Sequence, residues 1–142
     1  FSCSSFGSID DIVFKDFGKP FELDALRGLF KGTNNRDSTS LLRGLDLIRP
    51  QPGKKMVFVI SDGYPASWNS YNAEWPGEMI YAMKLAKREG VEVIGIGINK
   101  QANEVVSRYY HNGFSITNVA QLPKLLVKIY LEEAERLKII DV

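Results

Sequence analysis

The feature that most constrains this chain is the run Lys55-Met-Val-Phe-Val-Ile-Ser-Asp62-Gly63-Tyr-Pro65. Five apolar residues in succession, Met56 to Ile60, predict a strand buried on both faces, as in a parallel sheet. Ser61, Asp62, Gly63 and Pro65 are turn formers that cannot continue it. A carboxylate therefore stands just past the carboxyl end of an interior strand. In open α/β sheets that is where ligands bind.

The flanking pattern agrees. From residue 55 onward the order reads strand, helix, strand, helix, strand, helix, the signature of crossover units on a parallel sheet. Pro76 opens a helix with apolar positions 79, 80, 83 and 86, and Gly90 ends it. Val91 to Ile98 is the next strand, Asn103 to Tyr110 a short helix, and Phe114 to Thr117 a brief strand. Pro123 opens a last helix with an apolar stripe at 125, 126, 129, 130, 134 and 137. Before residue 55, Phe1 to Phe6 and Ile12 to Phe17 read as a hairpin at a sheet edge. Phe21 to Phe30 reads as a short helix, and 32–38 as a polar loop. Asp37 or Ser38 can cap the helix that follows, whose apolar positions are 41, 42, 45 and 48.

The 142 residues suffice for a single domain, and no repeat or composition break divides them. A formal net charge of +1 gives no bulk attraction to nucleic acid or anionic membrane. No apolar run approaches the ~20 residues that span a bilayer. The lone Cys3 has no internal partner, which fits a reducing, cytoplasmic setting.

Three features together resemble the von Willebrand factor A (vWA) domain. They are the strand ending in Ser61-Asp62-Gly63, the loop Gly32-Thr33-Asn34-Asn35-x-Asp37 before an amphipathic helix, and Gly90-Val-Glu-Val-Ile-Gly-Ile-Gly97. The resemblance covers nearly the whole chain. Asn35-x-Asp37, Val59-Ile-Ser-Asp-Gly63 and Val106-Ser-Arg-Tyr-Tyr110 look closest to the cobaltochelatase-subunit branch, whose members work beside AAA+ ATPases. It implies a three-layer, Rossmann-like α/β fold: an open sheet, mostly parallel with one antiparallel edge strand, and helices on both faces.

The resemblance also implies a metal-ion-dependent adhesion site at the carboxyl edge of the sheet. Asp62 matches its third loop; the second-loop ligand falls to Asn35, with Thr33 and Asp37 as alternatives. Ser61, Gly63, Tyr64 and Trp68 would form the partner-binding rim. The family's first-loop Asp-x-Ser-x-Ser occurs nowhere in this chain. In the family's strand order 3-2-1-4-5-6, that loop follows the central strand. The expectation is thus a chain that lacks its first strand and helix, the rest being one domain over 1–142.

The chemistry suits the implied ion. Mg²⁺, or Mn²⁺, takes about six hard oxygen ligands, and Asp62, Thr33, Asn35, Asp37 and Ser61 all offer oxygen. A partner's acidic side chain would fill the open coordination position, so the ion bridges proteins and catalyses nothing. With the first loop missing, weak metal binding or none is expected from these residues alone. The blander readings remain alongside: Asp62 as a turn-capping acid, Thr33, Asn35 and Asp37 as helix caps, and the aromatics Tyr64, Trp68, Tyr71 and Trp75 as loop packing.

Gly95-Ile-Gly97 lacks the third glycine of a dinucleotide fingerprint and reads as close strand–helix packing. His111 is the only histidine, and Ser61 has no evident base, so a hydrolase triad is unsupported. The expectation is a non-enzymatic, protein-binding domain, its partner an AAA+ ATPase or another subunit of a chelatase-like complex. The alternative is a Rossmann-like, metal-dependent enzyme acting on phosphates or nucleotides. An extracellular adhesion module is disfavoured by the lone Cys and by the absence of any Asn-x-Ser/Thr.

Overall fold

A computed structural model of the chain describes residues 3–5, 12–20, 22, 24, 37–62 and 75–136. The elements in chain order are β1 (Cys3–Ser5), β2 (Ile12–Lys15), α1 (Asp37–Ile48), β3 (Lys55–Ser61), α2 (Trp75–Arg88), β4 (Val91–Gly97), α3 (Lys100–Tyr109), β5 (Asn112–Ser115), a 3₁₀ turn (Val119–Gln121) and α4 (Leu122–Arg136). The helix expected over Phe21–Phe30 lies outside the described residues.

The α/β class is as the apolar runs predict. β3, β4 and β5 form an all-parallel sheet in that order. Alternation along the strands feeds two cores. Val59, Val91 and Val93 pack with Leu41 and Leu45 of α1, Met79, Ala82, Met83 and Ala86 of α2, and Val105 and Val106 of α3. Ile94 and Ile96 point the other way, onto Ile129, Leu122, Leu125 and Leu126 of α4. Helices thus cover both faces of the sheet, and burying each side chain of Leu or Ile size contributes roughly 1.5–3 kcal/mol.

β1 and β2 pair antiparallel, with Cys3 opposite Lys15 and Ser5 opposite Ile12. The hairpin is therefore present. The antiparallel strand expected at the edge of the main sheet is not: among the described residues the hairpin is a two-stranded sheet of its own. Among the described residues β3 is bonded within its sheet only to β4. That open side has a cost in burial. β4 is buried at six of its seven positions, whereas five of the seven in β3 are only partly buried, although the sequence of β3 reads as equally interior.

Several boundaries and faces differ from expectation. α3 starts before Asn103 because Asn99 caps it: its Oδ1 accepts from the Ala102 N–H at 2.9 Å. β5 starts at Asn112 because its backbone runs beside Ile94 onward, ending with Ser115 opposite Gly97. Ile80 and Tyr130, both placed on apolar stripes by periodicity, are 46% and 48% exposed. Ala82 takes the inward position on α2. Gly90 ends α2 with φ +69°, a left-handed conformation open to glycine at little cost.

Two contacts fix α1 to α2. Ser38, fully buried in the first turn of α1, donates from Oγ to Glu78 Oε2 at 2.9 Å. Ser38 therefore does not cap its own helix, which begins at Asp37. At the other end, Arg49 Nη2 and Nε reach Glu89 Oε1 and Oε2 at 2.9 and 3.2 Å.

Candidate functional site

The parallel strands end flush. Ser61 lies opposite Gly97, and Gly97 opposite Ser115. The row is extended by one bond each: Ile98 N–H to the Ser61 carbonyl and Ile116 N–H to the Gly97 carbonyl, both at 2.9 Å. Asp62 is the next residue past this edge, at the position the apolar run predicts. α2 and α3 follow β3 and β4, so both begin at this edge. The Ser38–Glu78 bond brings the first turn of α1 beside the first turn of α2. The edge therefore collects three helix amino-termini, whose N–H groups and dipoles favour negative charge.

Asp62 is exposed. Its backbone carbonyl accepts a hydrogen bond from Asn99 Nδ2, which ties the end of β3 to the start of α3. Its carboxylate makes no hydrogen bond or ion pair among the described residues. The amides that a turn-capping Asp would engage, those of residues 64 and 65, lie outside the described residues. Ser61, at the end of β3, is buried.

Asp37 differs sharply. It is the first residue of α1 and only 2% exposed. It lies close enough to Tyr110 for its charge to act on the phenol. Burial, and then the Asp37 charge, push the Tyr110 hydroxyl well above its ordinary pKa. That hydroxyl is buried without a hydrogen-bond partner.

The glycines of Gly95-Ile-Gly97 are packing sites, as expected. A Cβ on Gly95 would sit 2.5 Å from Tyr110 Cγ, and one on Gly97 would meet Ala102 and Asn103 of α3.

Thr33, Asn35, Gly63, Tyr64 and Trp68 lie outside the described residues. Of the expected ligands, the structure describes two, the exposed Asp62 and the buried Asp37. The oxygens are hard donors and match Mg²⁺ in kind. Among the described residues no three His, Cys, Asp or Glu side chains gather as a metal cluster. What is described therefore supplies one accessible carboxylate at the edge, short of a full coordination sphere.

Two residues of this region escaped the sequence reading. Asn99 binds Asp62 and caps α3; its signal was an Asn directly before the helix formers Lys100, Gln101 and Ala102. Tyr110 was noted only as part of a motif, yet it fills the space opened by Gly95. His111 is exposed, as a lone loop histidine should be.

A cleft of about 360 Å³ lies elsewhere, at the amino end of β3, among Phe17, Ile48, Pro52, Met56 and Tyr130. No described helix is long and apolar enough to cross a membrane. No protein-family model matches the chain, and no curated protein is significantly similar to it.

Proposed function

We propose that this chain is a vWA-like domain that binds a protein partner through the carboxyl edge of its parallel sheet. The observation that carries the proposal is the Asp62 carboxylate, exposed and without a partner among the described residues, just beyond the flush ends of β3 and β4. In this reading Asp62 supplies one oxygen to a Mg²⁺ or Mn²⁺ ion. Asn35, Thr33 or Asp37 supplies the second loop, and an acid on the partner completes the bridge. The burial of Asp37 favours Asn35 or Thr33 over it as the loop's ligand. Ser61, Gly63, Tyr64 and Trp68 flank the contact. The ion holds two proteins together and performs no turnover.

The strand arrangement supports the family resemblance. Removing the central strand from the order 3-2-1-4-5-6 leaves an antiparallel pair and a parallel triplet. The described strands divide in the same way, β1 with β2 and β3 with β4 and β5. β3 is partly buried, and among the described residues it pairs along one flank alone. Phe17, just after β2, shares a cleft with Met56 of β3. The partner class, an AAA+ ATPase or a neighbouring subunit of a chelatase-like complex in the cytoplasm, rests on the resemblance.

Mn²⁺ is the direct probe, because its unpaired electrons broaden nearby amide signals. Because such broadening registers even weak binding, broadening centred on residues 61–62, lost in Asp62→Ala and competed by Mg²⁺, is the expected result. Capture of a candidate AAA+ ATPase should then weaken with EDTA and with the same substitution. Broadening that Asp62→Ala leaves unchanged, or capture insensitive to both, would overturn the reading. Turnover of a nucleotide by the purified chain would favour a metal-dependent enzyme instead.

A further inference from the structure

We infer that the outer face of α2 is a second docking surface, built for an acidic segment of a partner protein that also carries an apolar anchor. The described exposed residues of α2 are Gly77, Ile80, Tyr81, Lys84, Lys87 and Arg88. On a helix of 3.6 residues per turn they fall within an arc of about 120°. Ile80 is 46% exposed and Tyr81 56%, near opposite margins of the arc and toward the amino end of the helix. The three cations spread across the arc over the following two turns.

Among the described residues this face holds no acid to neutralise it. Two described carboxylates of this stretch are held by α1: Glu78 by Ser38 at 2.9 Å, and Glu89 by Arg49 at 2.9 and 3.2 Å. Lys84, Lys87 and Arg88 form no ion pair among the described residues. An ordinary solvated face interleaves its charges. α4 does so, pairing Lys128 with Glu132 and Arg136 with Glu133. α2 separates them instead, leaving an aromatic and an aliphatic side chain beside uncompensated positive charge.

The composition of the arc selects the partner. From Lys84 to Arg88 is about 6 Å of helix axis, too short a track for the many phosphate contacts of a nucleic acid strand. Three cations also fall below the roughly 4–8 that mark a polybasic membrane patch. Ile80 and Tyr81 offer phosphate little, but they match the Leu or Phe of an amphipathic acidic segment. The surface needs no cation at Asp62, so its test and that of the edge site fail independently.

The test is amide NMR on the ¹⁵N-labelled chain, titrated with a short synthetic peptide of Glu and Asp containing one Leu and one Phe. The expected result is shift changes concentrated on residues 80–88, weakening as NaCl is raised. Lys84→Glu with Lys87→Glu should weaken binding by roughly fivefold or more. Tyr81→Ala should weaken it several-fold, with circular dichroism unchanged in both variants. The proposal is overturned if the peptide leaves α2 unmoved or if charge reversal has no effect. It is equally overturned if single-stranded DNA or phosphatidylserine vesicles engage these residues more tightly than the peptide does.

Discussion

The ring of Tyr110 lies against the α-carbon of Gly95, so close that a single methyl group there would stand 2.5 Å from Cγ and 2.8 Å from both Cδ atoms. Gly95 is in the middle of β4 and Tyr110 is the C-cap of α3, so the contact presses helix onto sheet. Gly95→Ala must displace this buried ring. The expected loss is about 1–3 kcal/mol, read as a lower urea midpoint.

The Tyr110 hydroxyl should contribute no stability, because it is buried and finds no hydrogen-bond partner. Tyr110→Phe keeps the ring and removes the orphaned group, so it should be neutral or stabilising by up to about 1 kcal/mol. Tyr110→Ala should cost about 3–5 kcal/mol through the cavity it leaves. A Phe variant as damaged as the Ala variant would show that the hydroxyl is engaged after all.

Alkali should reveal the same residue. Burial, reinforced by the Asp37 charge, holds the folded pKa of Tyr110 above its unfolded value. The unfolded phenol ionises near about pH 10. Above that point the unfolded chain releases a proton that the folded chain retains, so stability falls as pH rises, by about 1.4 kcal/mol per unit. Below it both states hold the proton, and stability does not change with pH through this group. Urea midpoints compared on either side of this pH should fall more steeply in the native chain than in Tyr110→Phe.

Ser38 and Glu78 join the helices that frame the candidate edge. Ser38→Ala leaves a carboxylate without its donor in a part-buried seam and should cost about 1–2 kcal/mol. A double-mutant cycle with Glu78→Gln should return a coupling on the order of 1 kcal/mol. Purely additive losses would mean that the bond contributes nothing net.

Much of this was readable in advance where punctuation is sharp. The strand at 55–61 was bounded correctly because apolar residues run straight into Ser-Asp-Gly, and the position of Asp62 followed. Gly90 and the paired glycines of β4 were likewise legible as a helix stop and as close packing. The failures share a cause. Periodicity marks a stripe without fixing its centre, so Ile80 was turned inward, whereas tertiary packing rotates the stripe toward Ala82, which is fully buried. It also cannot say which distant side chain fills a gap, so Tyr110 went unpaired with Gly95. Asp37 is legible as a cap or a second-loop ligand because an acid at a helix start usually faces water; its burial near Tyr110 is a tertiary fact.

β4 is the strand bonded on both sides, between β3 and β5. Its amides are therefore expected to exchange with deuterium only when the whole molecule opens. β3, closed along one flank alone among the described residues, should exchange sooner, and the order of release would run from its open side inward. A ligand that slowed β3 to the pace of β4 would be one that had completed the layer.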